Sequence, residues 1–258
     1  MRVRMTSLGA LAALLALSAT ARANDPWDQA PGGFGDDNAI ETLNSLGHRS
    51  EQVHDVEAVG AIADEDWSIV VAPPRTSHEV VIDDLEGEVP PFSLQRRDVT
   101  GLIVLQSGNP LTWQEGATPS ATTYYIRMSG AGCADTCSAA SRYRIRSFDT
   151  TYSIPRFNNA ATQLTILVIH NTTDTAVDAT LFFTSAAGAL IGAGQPITLA
   201  AQGTAIVNTA TLQGGAFAGQ SGSVSVSSTA GYGRLSGKAV ALEPGTGFTF
   251  DTAMSPRP

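Results

Sequence analysis

Lysine is nearly missing from this chain of 258 residues: Lys238 stands alone beside fourteen arginines and 24 acids. So acidic a chain is a poor nucleic-acid binder, because that task needs cations to replace condensed counterions. Charge of either sign is scarce, at 15% of residues, against about 25% in an average soluble protein. Cysteine is down to Cys133 and Cys137, which excludes a disulfide-dense scaffold. Beyond residue 23 no apolar run reaches the length of a membrane-spanning helix, so a spanning protein is not expected. Helical periodicity is lacking too, since no 3.6-residue pattern lasts beyond two turns after Gln52.

What is present begins with an export signal. Arg2 and Arg4 form a basic start, Leu8 to Leu17 an apolar stretch, and Ala21-Arg22-Ala23 a small-x-small cleavage site. Residues 1–23 therefore read as a signal peptide cut after Ala23, and the protein is expected to be secreted, periplasmic or extracellular. Removing Arg2, Arg4 and Arg22 leaves 12 basic against 24 acidic residues, a balance of −12. That charge is uneven: residues 24–98 hold 17 acids and 4 arginines, whereas residues 99–258 are close to neutral.

Residues 24–51 read as a flexible acidic leader rich in Gly, Pro and Asp, with one short helix expected over 38–47 around Ile40, Leu43 and Leu46. From Gln52 onward the pattern is β. Apolar runs at Trp67–Val71, His78–Asp83, Gly101–Gln106, Tyr124–Ser129 and Tyr143–Ser147 are separated by turn residues. A second series follows at Gln163–His170, Ala176–Thr184, Gly203–Asn208, Gly222–Ser227 and Leu235–Leu242. Val177, Ala179, Leu181 and Phe183 alternate with polar residues, as do Val224 and Val226, so these should face a core. Ser185-Ala-Ala-Gly188 reads as a hairpin turn. The expected fold is all-β: two antiparallel β-sandwich (jelly-roll or immunoglobulin-like) domains over 52–149 and 150–254, with Tyr152–Pro155 as the joint.

Several residues carry a family resemblance. Gly60-Ala-Ile-Ala-Asp-Glu-Asp-Trp67, Ser77-His-Glu-Val-Val-Ile-Asp83, Thr123-Tyr-Tyr-Ile-Arg-Met128 and Tyr143-Arg-Ile-Arg146 together resemble the bacterial pre-peptidase C-terminal domain over residues 52–149. Ser68, Thr122 and Ser141 depart from that pattern. The resemblance implies a small jelly-roll-like sandwich with Leu102–Gln106 as a central apolar strand. It does not imply catalysis, because such domains are appendages of exported proteins. Residues 150–254 match no family with a known activity.

Catalytic signatures are lacking. His78-Glu-Val-Val-Ile82 has Ile82 where a zinc-protease helix needs its second His. Gly219-Gln-Ser-Gly-Ser223 ends on Ser where a nucleophile elbow ends on Gly. No enzyme and no cofactor are expected, although a dispersed hydrolase site stays open. Asp64, Asp66 and Asp83 offer hard oxygen ligands suited to calcium, or else a solvated acidic surface. Cys133 and Cys137 are expected to pair as a disulfide that pins a small loop. Metal binding is the rival reading, but two thiolates lack zinc's remaining ligands.

Arg142, Arg144 and Arg146 alternate along one strand and so share its outer face, and Arg127 points the same way if its strand pairs with theirs as a hairpin. This face suits carboxylate- or sulfate-bearing polymers. Alternatively, the row pairs internally with the acidic stretch 24–98. Trp67, Tyr124 and Tyr143 fit core positions, whereas Trp113, close to a turn, is a candidate for exposure. These features describe an exported binding or surface-association module whose partner is an extracellular polymer or protein. A structural scaffold is the alternative.

Overall fold

The computed structural model describes residues 27, 44–56, 65–87, 91–130 and 140–257. Seventeen strands account for nearly all of its regular structure. The first eight are β1 (Ser50–Asp55), β2 (Glu65–Ala72), β3 (Ser77–Glu86), β4 (Phe92–Arg97), β5 (Val104–Ser107), β6 (Leu111–Gln114), β7 (Thr122–Gly130) and β8 (Arg142–Asp149). They form two antiparallel sheets, ordered β1-β8-β3-β6 and β2-β7-β4-β5. That interleaving of eight strands is the double Greek key of a jelly roll. Leu46, Val70, Val80, Ile82, Leu94, Leu111, Ile126, Met128 and Ile145 fill the space between the sheets.

The remaining strands are β9 (Tyr152–Asn158), β10 (Leu164–Asn171), β11 (Val177–Ser185), β12 (Leu190–Leu199), β13 (Thr204–Asn208), β14 (Ser221–Ser228), β15 (Leu235–Glu243), β16 (Phe248–Ala253) and β17 (Ser255–Pro256). They make a second pair of sheets, β13-β10-β15-β16 and β12-β11-β14-β9-β17. Val177, Ala179, Leu181, Phe183, Val224 and Val226 all point into this core, as their alternation requires. Phe157, Phe183 and Phe217 form its aromatic centre, with Phe183 edge-on to Phe157 at 5.2 Å. Gly188, at φ +84°, closes the Ser185–Gly188 turn through its N–H to the Ser185 carbonyl.

Four expectations need correction. The described end of the 38–47 segment is not helical. Ser45 bridges Ile69, Leu46 is buried in the core, and β1 starts at Ser50, so residues 44–51 belong to the sandwich and not to a flexible leader. The predicted hairpin between the Tyr124 and Tyr143 strands does not form, because β7 and β8 lie in opposite sheets. Their connection is longer than the about 2–5 residues of a tight hairpin, so nothing forces the two strands together.

Leu102–Gln106 is not a central strand. Its described strand, β5, is an edge strand paired only with β4, and Leu102 is 78% exposed. Finally, Tyr152–Pro155 lies inside β9; the chain passes between the two pairs of sheets at Thr150–Thr151. That passage is buried and stitched: Thr150 N–H donates to the Ser77 carbonyl and Ser77 N–H to Thr151 Oγ1, both at 2.8 Å.

One strand that escaped the sequence pattern has a clear cause. β12 carries Gly192, Gly194 and Pro196 and lies on a sheet edge, where a proline without an N–H is tolerated. Its alternation is broken by the same residues.

Candidate functional site

The arginine row exists on β8: Arg144 and Arg146 are paired with acids, and Arg142 stands opposite Asp55 of β1. β8 sits between β1 and β3, which brings acids to either side of it. Arg144 Nε donates to Asp83 Oδ1 at 3.0 Å and its other nitrogen approaches Glu51 at 3.5 Å, while Arg146 bonds the second oxygen of Asp83. The bond to Asp83 holds the Arg144 pKa above its ordinary value. Arg127, in the other sheet, grips Glu65 with two nitrogens. Glu65 is held below the usual carboxylate range, first by this bond and against its partial burial. The row thus engages the acidic first half of the chain.

The calcium candidates are separated. Asp83 is occupied by two guanidiniums. Asp66 lies on the opposite sheet, buried, and accepts the Tyr143 hydroxyl at 2.5 Å with His54 Nδ1 3.7 Å away. Tyr143 also stacks on His54 at 5.3 Å, and Trp27 lies beyond the imidazole at 5.8 Å. This polar stack ties the two sheets together across the core. Asp64, Cys133 and Cys137 lie outside the described residues. Among the described residues no three His, Cys, Asp or Glu side chains gather as a metal site.

The aromatics divide unexpectedly. Trp113 is buried, stacked on His78 at 5.2 Å, and not exposed, because β6 pairs into the sheet beside β3. Trp67 is buried as well, but on the outer side of its sheet and outside the core. The Arg97 and Arg127 guanidiniums cover it at 5.4 and 5.6 Å.

A cavity of about 170 Å³ brings His48 and His78 near Ser147 and Asp149. Burial pushes His78 down to about 4 and lowers His48 as well. His78 Nε2 bonds Thr76 Oγ1 at 2.7 Å, and His48 Nδ1 accepts the Asp149 N–H at 2.8 Å. Neither imidazole bonds a serine hydroxyl among the described residues, so the nucleophile–base contact of a hydrolase is not assembled here.

A concavity with an apolar floor lies in the second pair of sheets. The β15–β16 ribbon sets Ala241 opposite Phe250 and Glu243 opposite Phe248, so all four share one face. Opposite them, across a groove of about 300 Å³, stands Arg156 on β9. β17 pairs β9 only at Tyr152 and Ser153, which leaves the stretch from Pro155 onward open on that side. Phe248 and Phe250 are each 73% exposed. Arg156 has no carboxylate partner among the described residues, whereas Glu243 accepts the Thr162 hydroxyl at 2.6 Å. Sequence reading passed over these phenylalanines. Their i, i+2 spacing shows a shared face, but only the reach of the opposing sheet decides whether that face is covered.

No family model and no curated protein matches the chain. Among solved structures, the extracellular region of zebrafish Gpr126/Adgrg6 aligns with 82% of this chain and 33% of its own length, at 9% identity and a TM-score of 0.25. The chain thus spans about a third of that region. A protein of Parabacteroides distasonis described as secreted aligns over 81% of this chain and 88% of its own, at 9% identity and a TM-score of 0.27. Among the described residues no helix is long and apolar enough to cross a membrane.

Proposed function

We propose that the chain is an exported, non-catalytic binding module that captures an extended apolar segment of a partner protein in the groove between β9 and β16. The observation that carries this reading is the pair Phe248 and Phe250, held in water beside an edge strand. An edge strand offers unpaired backbone donors and acceptors, and a groove beside it selects alternate side chains; together these are the elements of strand addition. Arg156 favours an acid at one position of the ligand. Export rests on the signal read at residues 1–23, and a non-catalytic role accords with the resemblance to an appended domain over 52–149.

Selection from a display library of extended peptides tests the reading. Peptides with alternating apolar residues should be enriched by the native protein and lost with Phe250→Asp, an exposed change that leaves folding intact. Equal enrichment by native protein and variant overturns it.

A further inference from the structure

The tip joining β4 to β5 holds apolar side chains out in water at consecutive positions. Leu102, Ile103, Val104 and Leu105 are between 44% and 78% exposed, and Val99 is 62% exposed. This is not a slack loop. Asp98 N–H donates to the Ile103 carbonyl at 3.0 Å and Gly101 N–H to the Asp98 carbonyl at 2.9 Å. The Asp98 carboxylate accepts from the Thr100 hydroxyl at 2.8 Å and from Ile103 N–H at 3.1 Å. Arg97 clamps the Gly101 carbonyl at 2.9 Å. These bonds hold the turn with its apolar groups outward, and contiguous exposed apolar surface of this kind marks a contact site.

We propose that this tip inserts into a phospholipid surface. Val104 and Leu105 are successive residues of β5 and so point to opposite sides of the β4–β5 ribbon, while Val99, Leu102 and Ile103 stand exposed in the turn that joins the two strands. A folded partner covers one side, whereas the headgroup–acyl boundary of a bilayer surrounds a protrusion from every direction. Self-association is short of surface. At roughly 100 Å² per side chain the five groups supply about 500 Å², against about 800 Å² per partner in a stable complex.

Charge agrees with this. The first half of the chain is strongly acidic, yet at the base of the tip Asp98 is occupied by its turn. Arg97 stands beside Arg127 on the outer face with Glu65 as their shared acid. Arg97 and Arg127 balance Glu65 and the Asp98 carboxylate, so the base of the tip carries no net charge to repel a phosphate surface, unlike the rest of the acidic first half. The site is separate from the β9–β16 groove and does not depend on it.

Flotation of the full exported chain with vesicles of phosphatidylcholine containing a minority of phosphatidylglycerol is the test. Native protein should float with the vesicles. L102D/I103D should lower the bound fraction about tenfold or more with an unchanged melting temperature, while Phe250→Asp binds like the native protein. The proposal fails if native protein does not float, or if L102D/I103D floats equally. It also fails if native protein is a dimer without lipid that L102D/I103D dissociates, since the tip is then a contact between copies.

Discussion

Asp83 is the residue on which the charge pattern of the first sandwich turns. It bonds Arg144 and Arg146 at once and is about two-thirds covered. Asp83→Ala leaves two like charges on neighbouring positions of one strand face, and should cost about 1–2 kcal/mol. Urea denaturation checks this, and added salt should narrow the gap between variant and native protein. His78 carries a pH effect of definite sign. Its folded pKa of about 4 lies below the unfolded 6.5, so between those values the unfolded chain binds the extra proton. Stability is complete above about pH 6.5 and falls toward pH 4, by about 3 kcal/mol in all. Glu65, also depressed, adds a loss further into the acid range. Melting temperature against pH should show this slope, and His78→Gln should flatten it between 4 and 6.5. The arginines, their shared strand face and the available acids were all readable in the chain. Which acid reaches which arginine was not, because Asp83, Glu51 and Arg144 meet only when β1, β8 and β3 lie side by side.

Elements obey their local pattern where one face is buried and escape it at edges. The apolar residues of β11 and β14 follow the alternation because each strand has a core side, and a one-residue slip would turn that side to water. Their pairing brings the chains very close at Gly222, where a Cβ would sit 1.9 Å from the Thr184 carbonyl oxygen. Gly222→Ala must push these strands apart, and a loss of about 2–4 kcal/mol is expected from chemical denaturation. A control at Gly188 separates the two kinds of glycine. There a Cβ meets nothing within 4 Å, so Gly188→Asn, which tolerates a positive φ, should cost less than about 1 kcal/mol. β5 and β16 show the opposite case: the apolar run at 102–106 read as a central strand and is exposed, and Phe248 and Phe250 of β16 stand in water. Hydrophobicity marks what prefers burial, but on an edge strand no neighbour arrives to provide it.

At the scale of the whole molecule, the two pairs of sheets are joined through Tyr232. Its ring stacks on Phe148 at 5.0 Å and meets His48 edge-on at 5.7 Å. Its hydroxyl accepts from Arg49 at 2.5 Å, and its N–H donates to Glu79 at 2.9 Å. Gln114 adds bonds to the Asp178 carbonyl and the Ser227 hydroxyl. Tyr232→Ala removes the aromatic centre of this junction without touching either core. Calorimetry should then resolve two unfolding transitions where the native protein shows one. A single unshifted transition in the variant would mean that the buried Thr150–Thr151 passage and the Gln114 bonds are enough to couple the sandwiches.

Period-2 alternation, turn residues and the lack of helical pattern were enough for the sequence by itself to determine an all-β chain and the inward faces of β11 and β14, because these depend on neighbours along the strand. Only the tertiary structure decided that β7 and β8 part into opposing sheets, that the arginine row meets its acids, and that Leu102, Phe248 and Phe250 stay in water. Each of those outcomes depends on which strand lies alongside and how far the facing sheet extends, and contacts between distant residues leave no periodic trace in the chain.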